Sequence, residues 1–207
     1  MAAQTEPYIT PAEYLAAERC AETKSEYHDG QIVAMAGASR EHNGQIVAMA
    51  GASRKHNLIV GDVNALLIAR LRGRGCETYT SDMRVRIPTP NIYTYPDIVV
   101  VCGEPQFEDG TADTLLNPML IIEVLSPSTE RYDQGQVFAH YRTLPSLREY
   151  LLVAQDEYRI DYYRRETADG NWFIGEAQGT AATLALAVGG GCTLALADIY
   201  DRVRLGE

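Results

Sequence analysis

At 207 residues, with 46% hydrophobic residues and a formal net charge of -10, the chain is long enough to bury one core and reads as a single domain spanning residues 1–207. Its apolar runs, such as Ile98 to Val101 and Met119 to Leu125, are strand-length and far short of the roughly 18 residues that a membrane helix needs, so no transmembrane helix is expected. The acidic balance counts against nucleic-acid binding by bulk charge, because phosphate contacts depend on local positive potential.

Residues 1–20, "MAAQTEPYITPAEYLAAERC", lack a basic start followed by an apolar stretch, which argues against a secretory leader and for a cytoplasmic protein. Cys20, Cys76, Cys102 and Cys192 show no zinc-site spacing. They are expected to be free thiols in a reducing compartment. Only Lys24 and Lys55 are lysines, and Arg70, Arg72, Arg74, Arg84 and Arg86 fall close together. Guanidinium forks suit phosphate oxygens, but a solvated helix end and an exposed strand face explain the cluster equally.

In chain order, "TPAEYLAAERCAE" opens as a capped helix, with Thr10 as N-cap, Pro11 at the first helical position and Glu13 three residues after the cap. "SEYHDGQIVAMA" follows, its Asp29-Gly30 pair marking a hairpin. Residues 30–57 then read "GQIVAMAGASREHNGQIVAMAGASRKHN", a 14-residue phrase written twice, with Glu41 of the first copy replaced by Lys55 in the second. Locality assigns the first copy to the hairpin, where Asp29-Gly30 is continuous with "SEYH". It assigns the second to the next helix, where Ser53 is the N-cap candidate and His56 runs into "LIVGDV". The remainder, about Gly37 to Ala50, loops out, forms an extra hairpin at Asn43-Gly44, or extends the helix backwards. Extension is disfavoured by Gly44 and Gly51, at about 1 kcal/mol each, and it would carry His42 about 21 Å along the axis from His56.

The helix after the repeat is marked by Ile59, Val63, Leu66, Leu67 and Leu71 at helical spacing and ends at Gly73 and Gly75. "CETYTSDMRVRIP" alternates as a strand. "TYPDIVVVCG" and "PMLIIEVLSP" are nearly continuous apolar runs, as expected for strands buried on both faces. "RYDQGQVFAHYRTLP" is a modest helix candidate. The strand "REYLLVAQ" and a second hairpin at Asp169-Gly170 follow, and the Gly-rich tail is weakly patterned until a short helix near its end. The expected fold is α/β (α+β): a mixed central sheet flanked by helices, with a β-rich C-terminal part.

Asp97 and Glu123 interrupt the two apolar strands, and an ionised carboxylate buried without a partner is expensive. Strand alternation places Asp97 on one face with Val99 and Val101, and Glu123 with Ile121 and Leu125. If the strands are neighbours, the carboxylates converge as hard oxygen ligands of the kind magnesium prefers. The alternative is that each pairs with a buried arginine or caps a strand end.

"YPDIVVV", "LIIEVLSPST" and "YDQGQVFAHYRTLPSLREYLLV", in this order, resemble the Uma-two family of the PD-(D/E)XK nuclease superfamily, and the similarity runs from "EYHDGQIVAMAGAS" to "LADIYDRV". The resemblance implies a restriction-endonuclease-like core and metal-dependent hydrolysis of DNA phosphodiester bonds. It also implies Mg2+ or Mn2+ held by Asp97, Glu123 and the backbone carbonyl of Val124, with His56 as a further site residue. Asp82, His140 and Tyr141 are candidate supporting groups behind those ligands. The family's lysine, four residues after an aspartate, falls at Val137, counted from Asp133. Valine cannot donate or position water, and Arg131, Gln136, His140 and Arg142 are the nearby polar candidates. The alternative function is therefore a catalytically impaired nuclease fold acting as a DNA-binding, regulatory or structural module. A homodimer is expected, because cutting both strands at one place needs two sites. Tyr158, Tyr162 and Tyr163, interleaved with Arg159, Arg164 and Arg165, either stack bases or pack within a hairpin.

Overall fold

A computed structural model of the chain describes residues 8–35, 39–42, 45–48, 52–125 and 133–205, with backbone alone at 39–42, 45–48 and 133–134. Helix α1 (Pro11–Glu18) begins with the expected capping box. The Thr10 hydroxyl accepts the Glu13 N–H, and the Glu13 carboxylate accepts the Thr10 N–H. Strands β1 (Ser25–His28) and β2 (Gln31–Ala34) form the first hairpin. Asp29 and Gly30 both take positive φ there, 43° and 99°, as the favoured two-residue hairpin turn requires. The Tyr8 ring lies against Gly30, where an added Cβ would come within 2.2 Å of Tyr8 Cδ2.

The doubled phrase is used in halves. Its first copy supplies β2, and its second supplies Ser53 and the start of α2 (Arg54–Leu71). Between them β3 (Ser39–His42) pairs antiparallel with β4 (Gln45–Ala48), with His42 opposite Gln45. Of the three options for the surplus residues, this is the extra hairpin. Asn43 and Gly44 themselves, and the side chain of His42, lie outside the described residues.

The core sheet has six strands in the order β13-β12-β11-β10-β8-β5. Its members are β5 (Cys76–Thr80), β8 (Ile98–Cys102), β10 (Leu120–Val124), β11 (Glu149–Val153), β12 (Arg159–Arg164) and β13 (Phe173–Gln178). Only the β10–β11 pair is parallel; the other four pairs are antiparallel. Ile59, Val63, Leu67 and Leu71 of α2 cover one face, against Ile98, Val100, Leu120 and Ile122. Val99, Val101, Ile121 and Leu152 point to the other face and pack on Val85, Ile87, Leu115 and Tyr141. That face is covered by α3 (Phe138–Tyr141), which a π-helical stretch at Asp133–Val137 precedes. A second sheet covers it as well, in the order β2-β1-β7-β6-β9, adding β6 (Arg84–Ile87), β7 (Ile92–Thr94) and β9 (Thr114–Leu115).

Three expectations are corrected. "CETYTSDMRVRIP" is two strands in different sheets, because a turn closed by Met83 N–H on the Thr80 carbonyl at 2.9 Å reverses the chain between them. The tail is an ordered hairpin of β14 (Thr183–Leu186) and β15 (Cys192–Ala195), followed by α4 (Leu196–Ile199). Alternating Leu184, Leu186 and Leu194 bury there against α2's side of the core. Cys76 and Cys102 are not free thiols. They face each other across β5 and β8 and form a disulfide, which leaves Cys20 and Cys192 as thiols. Spacing along the chain could not reveal a pair made by strand register, and the reading of four reduced cysteines falls with it.

Candidate active site

β8 and β10 are antiparallel neighbours, with Ile98 opposite Ile122, so the same register sets Asp97 opposite Glu123 at the strand end. The two residues are cross-linked through the main chain. Asp97 N–H donates to Glu123 Oε2 at 3.2 Å, and Val124 N–H donates to Asp97 Oδ2 at 2.8 Å. Each carboxylate therefore takes a backbone donor, which offsets part of the desolvation that burial imposes. Asp97 Oδ1 has no hydrogen-bond partner among the described residues.

His56 reaches the same oxygen from α2. The Ser53 hydroxyl caps the helix by accepting the His56 N–H at 3.0 Å. The imidazole Nε2 then stands 3.1 Å from Asp97 Oδ2, with the two side chains only 16% and 18% exposed. A carboxylate oxygen can only accept, so the bond needs a proton on Nε2. Nδ1 is buried without a hydrogen-bond partner among the described residues. The positive end of the α2 dipole lies at this end of the helix and favours negative charge nearby.

Tyr141 supports Glu123 from the opposite side, its hydroxyl donating to Oε1 at 2.9 Å. Tyr141, a candidate supporting group, is both packed in the core and bonded to Glu123. Its ring is 1% exposed and lies 5.3 Å from that of Tyr150. Burial first, and then the Glu123 charge, push the phenol well above its ordinary pKa, so the hydroxyl remains a donor.

Among the described residues, no group of three or more His, Cys, Asp or Glu side chains is arranged to hold a metal ion. What the site presents is a carboxylate pair, an imidazole and a phenol at one end of a mixed sheet. The family described as "Putative restriction endonuclease" matches residues 41–197. This chain belongs to the Uma2 family. The match opens inside the first copy of the doubled phrase and takes the second copy whole, whereas the β1–β2 register uses the first. Two relatives are uncharacterized proteins of Synechocystis. The protein sll1609 is 37% identical over 184 residues, covering 89% of this chain and 96% of its own. The protein slr1290 is 38% identical over 168 residues, covering 81% and 80%. A solved structure described as "a putative nuclease belonging to DUF820", from Anabaena variabilis, aligns with a TM-score of 0.66 and 19% identity over 93% of this chain and 98% of that one. At that identity the likeness speaks for the fold.

Other predicted residues of this Uma2 protein fall in different places. Asp82 has a side chain 84% exposed and pairs with Lys24; it lines a surface groove with Asn64, Thr78 and Tyr79. No described contact joins it to Asp97, Glu123 or His56. His140 is half-buried, and burial, followed by the charge of His28, lowers its pKa; its described contacts do not include the carboxylates. Val137 is half-buried against the core around Tyr141. Ser126 to Thr129 of the "EVLSPST" phrase and Arg131 lie outside the described residues.

The arginine cluster does not line the site. Arg72 is about 24 Å along the helix axis from His56. Arg84 is buried and paired with Asp113 at 3.1 Å, and Arg86 is paired with Glu108. The tyrosines of β12 and the turn before it also prove structural. Tyr163 packs on Phe138, with ring centroids 4.0 Å apart, and Tyr158 packs on Tyr200 at 5.0 Å.

Sequence reasoning missed Gln155, an 8%-exposed residue just past β11. Its oxygen accepts from Ser53 Oγ at 2.5 Å, and its amide nitrogen donates to the Leu125 carbonyl. The available signal was a polar residue ending the apolar run of a strand that parallels the one carrying Glu123.

Proposed function

We propose that the protein is a divalent-metal-dependent endonuclease that hydrolyses DNA phosphodiester bonds. The observation that carries this reading is the cross-linked pair at the strand end, where the Asp97 and Glu123 carboxylates share one stretch of backbone and His56 hydrogen-bonds Asp97.

The residues fit a hard cation. Among the described residues Asp97 Oδ1 is left without a hydrogen bond, the donors are oxygens, and the buried orphan Nδ1 of His56 adds an unused polar group. Magnesium often keeps several waters and binds through one or two carboxylates, so a site with two acidic ligands is compatible with it. Mg2+ or Mn2+ would be held by Asp97, Glu123 and the Val124 carbonyl, and when bound it supplies a water of lowered pKa and neutralises charge on the phosphate. Tyr141 and the Asp97 N–H orient Glu123, while His56 orients Asp97 through Nε2. Cutting both strands calls for two such sites, so a homodimer is part of the proposal, as is a cytoplasmic setting. Among the described residues no helix is long and apolar enough to cross a membrane.

A second reading is favoured by Val137. With valine where the family's lysine belongs, the fold survives as a DNA-binding, regulatory or structural module without turnover. Incubating supercoiled plasmid with the protein and Mg2+ or Mn2+, beside Asp97→Ala, decides between them. Metal-dependent nicking that the substitution abolishes supports the nuclease; no nicking by the unmutated protein leaves the second reading.

A further inference from the structure

Gln155 stands two residues beyond Val153, which pairs with Val124 in the parallel β10–β11 register. It therefore emerges at the same sheet end as Glu123. Both ends of its buried amide are used: Oε1 accepts from Ser53 Oγ at 2.5 Å and Nε2 donates to the Leu125 carbonyl. Ser53 Oγ in turn accepts the His56 N–H at 3.0 Å. One unbroken chain of hydrogen bonds thus joins the first turn of α2 to the end of β10.

The amide can sit only one way round, because a flipped group would press its oxygen against the Leu125 carbonyl oxygen. No other side chain of this size serves. An ionised Glu lacks the donor, Leu lacks both functions, and Asn is one methylene too short. The two anchors lie next to the chemistry: Ser53 is three residues before His56, and Leu125 is two after Glu123. His56 and the carboxylates come from elements distant in sequence, and their mutual position depends on how α2 is seated against β10.

We infer that Gln155 is a positioning residue of the Asp97–Glu123 site, holding His56 and the two carboxylates in one geometry; the inference rests on the metal-dependent nuclease reading above. Groups that support metal ligands from behind typically contribute 10- to 100-fold to metal affinity or activity, and small misplacements of reacting groups cost comparable factors in rate.

The test uses the full chain, with Mn2+ binding followed by electron paramagnetic resonance of the free ion and with plasmid nicking rates measured well below each variant's Tm. Gln155→Leu is expected to weaken Mn2+ binding about 10- to 100-fold and to lower kcat by a similar factor, with KM for DNA changed by no more than about twofold. Ser53→Ala removes the same link from its exposed end. It is expected to act in the same direction; because it also removes the cap on the His56 N–H, the double variant should lose less than the sum of the two single losses. A folded Gln155→Leu protein with Mn2+ affinity and rate within about twofold of the unmutated chain overturns the inference. If Gln155→Leu does not fold, the same measurements on Ser53→Ala decide in its place, and values within about twofold of the unmutated chain again overturn it. Should the unmutated protein bind Mn2+ but not cut, the nuclease reading fails and the affinity ratio alone decides on Gln155. If it neither binds nor cuts, both fall.

Discussion

Tyr141 holds Glu123 across 2.9 Å from a position that is 1% exposed. Hydrogen bonds to charged groups contribute about 1.5–3 kcal/mol, and this one faces a carboxylate on the strand end proposed to hold a cation. Tyr141→Phe keeps the ring packed on Tyr150 and removes only the donor. Urea unfolding of the metal-free variant is expected to show a loss of about 1.5–3 kcal/mol. Saturating Mg2+ should shrink the gap, because a bound cation offsets the Glu123 charge that Tyr141 otherwise helps to carry. An equal loss with and without Mg2+ would count against cation binding at Glu123.

Val137 offers the complementary experiment. It sits half-buried at the end of the π-helical stretch, next to the element that brings Tyr141 to Glu123. Val137→Lys places an ammonium group at the position where the sequence resemblance implies a lysine. Positioned proton-transfer groups typically contribute 10²- to 10⁴-fold, so plasmid nicking by Val137→Lys should rise by about tenfold or more over the unmutated chain. No gain, in a variant that folds and binds Mn2+, would show that His56 and the carboxylates already work without a lysine or that the site is inactive for another reason.

The sequence made the carboxylates legible because the strands around them are so apolar. Asp97 and Glu123 stand out only against Val99, Val101, Ile121 and Leu125, and all four of these neighbours do pack on the same face of the sheet. The α2 face was equally clear from its spacing, and the Thr10 and Ser53 caps could be read from residue type alone. What could not be read depends on which elements become neighbours. Cys76 meets Cys102 through the β5–β8 register, and Gln155 reaches Ser53 across 102 positions of sequence. Asp82 shows the converse. It was a candidate support for the site by resemblance alone, and a turn leaves it exposed beside Lys24.

A pH effect on stability follows from Arg19, which bonds Asp109 at 2.7 Å and Asp113 at 2.8 Å and so ties the end of α1 to the loop before β9. The Arg19 hydrogen bond is the main cause holding the Asp113 carboxyl well below the usual carboxylate range. A depressed folded-state pKa means that the unfolded chain takes up protons first as pH falls. The stabilisation is therefore complete above the unfolded value near 4 and disappears as pH drops through the folded one. The Tm of Asp113→Asn should lie about 2–4 °C below that of the unmutated protein at pH 7. The gap should begin to narrow only below about pH 4 and close as pH falls through the depressed folded value, and added salt should narrow the difference at pH 7. A constant gap across that range would show that packing, not charge, is what Asp113 contributes.

The doubled phrase makes the most direct prediction about the fold. Deleting Gly30–Asn43 joins Asp29 to Gly44, so the turn stays Asp-Gly and the strand after it is again Gln-Ile-Val-Ala, now residues 45–48. Every residue that β2 presents to β1 is replaced by its twin, while Ser53, His56 and their contacts keep their own positions. The pair β3–β4 is lost, but it forms a two-stranded sheet of its own and shares no ladder with the other sheets. The connection into α2 shrinks from residues 35–53 to residues 49–53, and the smaller closure entropy is worth about 1 kcal/mol in favour of the folded state. Thermal unfolding of the shortened protein should give a Tm equal to or a few degrees above that of the full chain, with Mn2+ affinity unchanged. A fall of more than a few degrees would mean that the β3–β4 hairpin packs on the core. A loss of Mn2+ binding at unchanged Tm would mean instead that the repeat helps seat Ser53, and through it Gln155 and His56.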